Sequence, residues 1–346
     1  MLGWAYGRLC RSYDEMTDLP ASLRATLAVE LPLGAAEVAA VQEAPDGVRK
    51  ALLVYPDHGS AETVLLPYDI GASTCLSSQV GCRQGCRFCA TGVSGFTRHL
   101  RAGEIMEQFL WAARAAAPRR LRRLVMMGAG EPLDNYAEVL TFLRRLHDAE
   151  VFGLSYRHMT ISTVGLVPEI LRLAEEGLPL NLALSLHATR DDLRSALIPE
   201  NRRYKVADIL DATDRYFAAT GRRITYEFLL VRDLNDTPQE ADRLCELVAE
   251  HPGHVNLIPL NPVPEFPFAA PAPERVRAFA ERLRRGGVNA TVRRTLGRDV
   301  QAACGQLRRH YDKEGQPVPP RRSWPISLPP PAPGRPEDPL RSETER

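Results

Sequence analysis

Cys82, Cys86 and Cys89 place three thiols within eight positions, as Cys-x3-Cys-x2-Cys, on the polar, glycine-rich stretch "GCRQGCRFC". Structural zinc sites use four ligands, usually from paired Cys-x2-Cys knuckles. Here there is one such pair and a third cysteine four residues upstream of it. Three thiolates on one loop can hold three corners of a cubane [4Fe-4S] cluster and leave the fourth iron open. An open iron can bind the amino and carboxylate groups of S-adenosylmethionine (SAM). Electron transfer from the cluster can then break a carbon–sulfur bond and release a 5′-deoxyadenosyl radical, with the protein orienting the cofactor and excluding water. Two plainer readings stand beside this one. One is a zinc site completed by Cys75 or by a histidine such as His99; the other is three reduced core cysteines, for which the stretch is poorly apolar.

The rest of the chain supplies a frame for such a loop. From residue 74, short β-rich runs alternate with amphipathic helical stretches such as "AGEIMEQFLWAARAAA" and "TPQEADRLCELVAEH". The pattern predicts strands at Cys75–Ser78, Leu121–Met127, His158–Ser162, Leu180–Leu186, Ile224–Val231, His254–Leu260 and Val288–Arg293. Strand–helix alternation argues a parallel sheet with helices outside, closed or partly closed as a barrel. Ligands in such folds gather at the C-terminal strand ends. The unusual segments fall there: the cysteine loop after the first strand, "GAGEPLDN" after the second, "STVG" after the third, "SLHA" after the fourth and "NPVPEF" after the sixth. That placement favours the cluster reading, with Phe88 as a cover for the cluster.

Upstream, "WAYGRLCRSY" and "DEMTDLPASLRATLAVEL" read as helices, with Asp18 as a cap and Pro20 in the first turn of the second. "GVRKALLVY" and "AETVLLPY" read as strands separated by the turn cluster "PDHGS". Downstream, residues 314–346 are dense in proline and poor in core-forming side chains, which predicts a disordered tail.

The bulk numbers exclude several classes. The chain has 346 residues, 44% of them hydrophobic, and a formal net charge of +1, so it is no polybasic or acidic-tail protein. Its seven cysteines are odd in number and unevenly spread, unlike a secreted disulfide scaffold. The N-terminus lacks the basic head and apolar stretch of a signal peptide, and no apolar run approaches a membrane span. The reading is a reduced, cytoplasmic, soluble protein. Arginine clusters occur at "APRRLRRL", "NRRYK", "TVRRTLGR" and "LRRHYDK"; such patches suit phosphates but are as often solvated helix faces.

Six stretches in order, "CLSSQVGCRQGCRFCATG", "GAGEPLDN", "ISTVG", "LALSLHA", "LIPLNPVP" and "DVQAACGQL", resemble the RlmN/Cfr family of radical-SAM adenine methyltransferases. The resemblance runs from about Trp4 to Leu307. It implies an α/β fold: a partial (β/α)6 radical-SAM barrel with a small N-terminal helical accessory domain and a disordered Pro-rich C-terminal tail. The implied boundaries are 1–36 for a shortened accessory domain, 37–67 for a β-rich extension, 68–303 for the core, 304–313 for a C-terminal cysteine segment and 314–346 for the tail. The family has more basic sequence ahead of the part matched here.

Carried over position by position, the resemblance implies that Cys82, Cys86 and Cys89 bind the cluster. Gly130, Glu131, Ser162, Ser185, Leu186, His187 and Asn261 would bind SAM. Cys304 would carry the methyl group, Cys75 would be its partner in a transient disulfide, and Glu62 would be the proton acceptor. In the implied mechanism one SAM methylates the Cys304 thiolate by displacement. A second is cleaved reductively, and the radical takes a hydrogen from the S-methyl group. The resulting S-methylene radical adds to an electrophilic carbon of adenine, and Cys75 then releases the product. Ordinary displacement fails at such a carbon because it is a poor nucleophile. The implied substrates are an adenine in the peptidyl-transferase region of 23S rRNA and the adenine 3′ of the anticodon in tRNA, with flavodoxin or ferredoxin as electron donor and no membrane, and the protein a monomer. Pro132 favours methylation at C2 over the Cfr-type reaction at C8; a zinc-stabilised RNA-binding protein is the non-catalytic alternative. Where the family usually has methionine before Gly-Glu-Pro, this chain has Ala129, which is expected to loosen local packing and slow turnover.

Overall fold

The computed structural model describes residues 1–93, 95–294, 296–300 and 302. The predicted segment 304–313 and the tail 314–346 lie outside the described residues, and Cys304 with them.

Twelve strands occur among the described residues: β1 (Glu37–Glu43), β2 (Arg49–Val54), β3 (Ser60–Tyr68), β4 (Gly71–Cys75), β5 (Gln79–Gly81), β6 (Phe96–His99), β7 (Leu121–Met126), β8 (Met159–Thr163), β9 (Asn181–Ser185), β10 (Ile224–Leu230), β11 (Gly253–Pro259) and β12 (Ala290–Val292). Ten of them form one sheet in the order β1-β2-β3-β4-β7-β8-β9-β10-β11-β12, and β5 and β6 pair separately. From β1 to β4 neighbours are antiparallel; from β4 to β12 they are parallel. The β-rich extension is thus continuous with the core sheet.

The helices are α1 (Ala21–Glu30), α2 (Ala90–Val93), α3 (Ala102–Ala116), α4 (Tyr136–His147), α5 (Val167–Glu175), α6 (Asp191–Leu197), α7 (Val206–Thr220), α8 (Pro238–Val248) and α9 (Pro273–Arg285). Pairing β4, β7, β8, β9, β10 and β11 with α3, α4, α5, α7, α8 and α9 gives the expected (β/α)6 partial barrel. β12 adds a seventh parallel strand.

Strand alternation decides what faces the helices and what faces the hollow of the barrel. Ile161, Leu184, Phe228 and Leu257 are fully buried in the core beneath the helices. Each such side chain contributes about 1.5–3 kcal/mol by leaving water. Their neighbours Ser162, Ser185, Glu227 and Ile258 point the other way and line a pocket.

Several sequence expectations need correction. The first core strand is Gly71–Cys75, not Cys75–Ser78. Residues 76–78 look like strand but spend their backbone bonds on the end of β7 and the segment after it: Leu76 N–H donates to the Val125 carbonyl, Gly128 N–H to the Leu76 carbonyl and Ser78 N–H to the Ala129 carbonyl. The last strand shrinks to three residues. Asp18 does not cap α1, whose N-cap is Pro20. "WAYGRLCRSY" forms only a short turn of π-helix at Gly3–Gly7, and Cys10 lies beyond it, buried with Tyr13 and Met16.

Candidate active site

The pocket sits at the C-terminal ends of the parallel strands, and Cys82, Cys86 and Cys89 all line it. Their loop is fixed by backbone bonds. Cys82 N–H donates to Gly95 (3.0 Å), Cys89 N–H to Cys86 (3.2 Å) and Arg87 N–H to Leu197 at the end of α6 (2.9 Å). Burial pushes the Cys82 thiol up to about 12 and the Cys86 thiol well above its ordinary value. Buried thiolates need strong positive charge beside them, and metal coordination supplies it. The three-thiol donor set on one loop suits a cubane, in which each thiolate takes its own iron. The two candidate fourth zinc ligands are elsewhere. Cys75 packs in a separate apolar patch, and the His99 ring meets Gln79 Nε2 at 3.1 Å.

Gly130 and Glu131 form the next wall. Gly130 has φ +107°, and a Cβ there would meet Ser78 Oγ at 2.6 Å and Gln79 Cβ at 2.7 Å. Only glycine lets this turn lie against the strand exit. Glu131 is buried, with Oε1 accepting from Leu133 N–H (3.1 Å) and Oε2 from Val164 N–H (2.9 Å). Desolvation nonetheless wins over these bonds and raises its carboxyl to about 7. A buried carboxyl poised this way favours a cationic guest such as an ammonium. Ala129 is buried, its N–H bonded to Ser77 Oγ (2.9 Å) and its carbonyl to Ser78 N–H (2.8 Å). The turn is therefore tied by its backbone.

Ser162, Ser185, His187 and Asn261 also line the pocket, from β8, β9 and the segments after β9 and β11. Leu186 does not; it is buried beside them, its carbonyl accepting from Arg194 Nε at 2.9 Å. His187 has a left-handed backbone, φ +58°. Its Nδ1 accepts from Leu229 N–H (3.1 Å), and burial together with the Arg194 charge lowers its pKa to about 3. It is thus a neutral imidazole with its Nε2–H left to donate. Phe88 meets that ring edge-on, with centroids 4.9 Å apart.

Three charged residues have no place at the pocket in the sequence reading. Glu227 and Arg293 line the pocket, with Nη1 and Oε2 3.9 Å apart. Arg194 is fully buried behind the pocket wall and donates to the carbonyls of Val164, Ser185 and Leu186 and to Asn201 Oδ1. A glutamate inside the apolar run "ITYEFLLV" was the one available signal.

Glu62 and Cys75 occupy a second locus. Register pairs Leu52 with Glu62, Lys50 with Val64 and Val64 with Cys75, so these side chains share one sheet face. Glu62 is buried, not solvated at an edge, and its Oε1 lies 2.8 Å from Lys50 Nζ. Cys75 packs with Ala44, Val48 and Val64, and Leu296, Val300 and Ala302 cover the same patch. Met127 belongs to both the patch and the pocket wall, which makes the two loci neighbours.

A barrel of six βα units with a three-cysteine loop after its first strand defines a radical SAM enzyme, and the Radical SAM superfamily profile matches residues 76–247. The relatives narrow this. A protein of Desulforudis audaxviator named "Probable dual-specificity RNA methyltransferase RlmN" is 47% identical over 313 residues, covering 90% of this chain and 98% of the relative. A protein of the same name from Carboxydothermus hydrogenoformans is 43% identical, covering 89% and 90%. The crystal structure of a radical SAM methyltransferase from Sphaerobacter thermophilus superposes with a TM-score of 0.87 at 47% identity, covering 89% and 92%. The chain belongs to the RlmN family of radical SAM RNA methyltransferases, and its cofactors are a [4Fe-4S] cluster and SAM.

Proposed function

We propose that the enzyme methylates C2 of adenine in 23S rRNA, in the peptidyl-transferase region, and in tRNA, 3′ of the anticodon. The "dual-specificity" in the relatives' names supports two RNA classes. Cys82, Cys86 and Cys89 hold the cluster. When bound, the cluster supplies the electron that cleaves SAM. Glu131 takes the SAM ammonium, and its own charge is stabilised in return. Ser162, Ser185, neutral His187 and Asn261 supply polar partners for the remaining hydroxyl, carboxylate and base groups, while the Gly130 backbone forms part of the wall and Leu186 packs behind it. Phe88 shields the site from water.

Cys304 carries the methyl group, Glu62 accepts the proton, and Cys75 frees the product by forming a disulfide with Cys304. One observation carries this part: the chain that leads into Cys304 packs on the patch containing Cys75. One residue separates Ala302 from position 304, so the two Cα atoms lie at most ~7 Å apart, a reach of the same order as the ~4.4–6.8 Å between Cα atoms of a disulfide. Lys50 Nζ, 2.8 Å from Oε1, holds the Glu62 side chain in place. The enzyme works as a cytoplasmic monomer with a flavodoxin or ferredoxin as donor; no helix among the described residues is long and apolar enough to cross a membrane.

The test is nucleoside mass spectrometry on rRNA and tRNA incubated with the cluster-loaded protein, SAM and a reductant. 2-Methyladenosine is expected, and none with Cys304→Ala. 8-Methyladenosine would overturn the C2 assignment in favour of the Cfr-type reaction.

A further inference from the structure

Glu227, Asn256 and Thr291 occupy one rung of the sheet, in register across β10, β11 and β12. Equal register on parallel strands turns their side chains to one face, and hydrogen bonds join them along it. Thr291 Oγ1–H donates to Asn256 Oδ1 at 3.0 Å, and Asn256 Nδ2–H donates to Glu227 Oε2 at 2.9 Å. Ser185 on β9 pairs with Glu227 from the other side, and both line the pocket. Arg293, two residues beyond Thr291, lines it too; its Nη1 lies 3.9 Å from Glu227 Oε2 and 3.7 Å from Met127 Sδ. Among the described residues both contacts to the Glu227 carboxylate fall on Oε2, which leaves Oε1 for a guest. Glu227 is buried; desolvation raises its carboxyl, and Arg293 and Asn256 oppose the rise. A carboxylate held this way gains from a donor on its second oxygen.

The two charges decide the kind of guest. A lone carboxylate draws a cation, but the Arg293 guanidinium beside Glu227 opposes one. Together they offer an acceptor and a donor side by side, so the guest that fits is neutral and carries a donor next to an acceptor. Adenine has such an edge, with its N6 amino group beside the N7 acceptor. A 6-oxopurine has two acceptors there, and its O6 would face the carboxylate. We propose that Glu227 and Arg293 form a 6-aminopurine site, in which Glu227 Oε1 accepts from the N6 amino group and Arg293 donates to the ring nitrogen beside it. Two adenines carry this edge: that of SAM and that of the RNA target. For the RNA target the inference rests on the adenine methylation proposed above; for SAM it needs only the cofactor.

The test exploits the rung. Glu227→Gln is nearly isosteric, and Asn256 Nδ2–H keeps its acceptor only if the amide oxygen takes the place of Oε2. The amide nitrogen then faces the pocket as a donor where the carboxylate had an acceptor. Wild type and variant are loaded with cluster, and melting temperature and cluster absorbance check that both are folded. Two pairs of probes are compared. SAM and its 6-oxo analogue, with hypoxanthine in place of adenine, are measured by equilibrium dialysis. Transfer RNA with adenosine or inosine 3′ of the anticodon is measured by kcat/KM for methyl incorporation. Glu227→Gln is expected to lower the preference for the 6-amino form about tenfold in one pair. A shift in the SAM pair assigns the site to the cofactor's ring, and a shift in the tRNA pair to the substrate's. A preference unchanged in both pairs, even with weaker binding throughout, would overturn the site. A wild type that binds SAM and methylates no tRNA would count against the proposed function instead, and the SAM pair alone then decides on Glu227.

Discussion

Glu131 is 2% exposed, and its carboxyl is raised from 4.5 to about 7, chiefly by desolvation. In the cluster-free folded chain it keeps its proton up to about pH 7, whereas the unfolded chain releases it near pH 4.5. Between those values the unfolded state binds fewer protons, so folding stability is full below the lower value and is lost as pH rises towards the upper one. Integrated from pH 5 to pH 8, the loss is about 2.5 kcal/mol. Glu131→Gln cannot ionise and escapes it. The amide also sacrifices one of the two backbone bonds to Leu133 and Val164, but that cost is the same at every pH. At about 2.1 cal/mol/K per residue over ~300 ordered residues, 2.5 kcal/mol is about 4 °C. The melting temperature of Glu131→Gln minus that of the wild type should therefore rise by about 4 °C between pH 5 and pH 8, measured calorimetrically on cluster-free protein. A difference that does not move with pH refutes the reasoning, because it would mean that Glu131 is ionised in the fold throughout.

The same carboxylate makes SAM binding pH-dependent: in the loaded enzyme the dissociation constant should rise up to about tenfold per unit as pH falls below about 7, read by equilibrium dialysis. Lys50→Met strands the buried Glu62 charge and should cost about 3–5 kcal/mol, seen as a lower denaturation midpoint, together with loss of methylation. Arg194→Lys cannot reach four separate acceptors with one ammonium; a melting temperature equal to wild type would show that the carbonyls of Val164, Ser185 and Leu186 do not depend on it. Replacing any one of Cys82, Cys86 and Cys89 by alanine should take reconstituted iron well below ~4 per chain, while the same content in the variants would remove the loop from the cluster.

What could be read beforehand was whatever is local or periodic. The three cysteines declare themselves by spacing, and the alternation "ISTVG" or "LALSL" tells which side chains face inward once a strand is assumed. The failures have physical causes. Leu76–Ser78 have strand-like side chains, but their bonding partner is the turn at 128–130, which no local pattern encodes. Where the run "APRRLRRL" lies was equally illegible: Arg119 to Arg123 fall at the N-terminal end of β7, the opposite end from the pocket residues Met126–Gly128. Polarity along a strand is legible only when the sheet is in view. Nothing near Glu62 in the sequence tells whether it is buried or solvated; the register that brings it to Lys50 on β2 decides that it is buried and paired. The hydrogen bond from Gly297 N–H to the Asp46 carboxylate spans 251 positions and leaves no trace in either neighbourhood.

The division of labour along the sheet follows from its topology. Parallel strands end together, so their loops converge and suit a bulky, polar cofactor. Reactive thiols and a buried ion pair need something different: a rigid, apolar surface on which distances hold. Antiparallel strands provide it, because β2, β3 and β4 pair directly and present Lys50, Glu62, Val64 and Cys75 at fixed intervals on one face. β4 belongs to both systems, antiparallel to β3 and parallel to β7. Cys75 is its last residue, and Val125 and Met127 continue the same face towards the pocket. The chain segment after β12, with Leu296, Val300 and Ala302, rests on this surface beside Val64 and Cys75. The hairpin strands extend the sheet at the β4 edge and not at the β12 edge because β3 runs directly into β4 through the tight turn that pairs Tyr68 with Gly71.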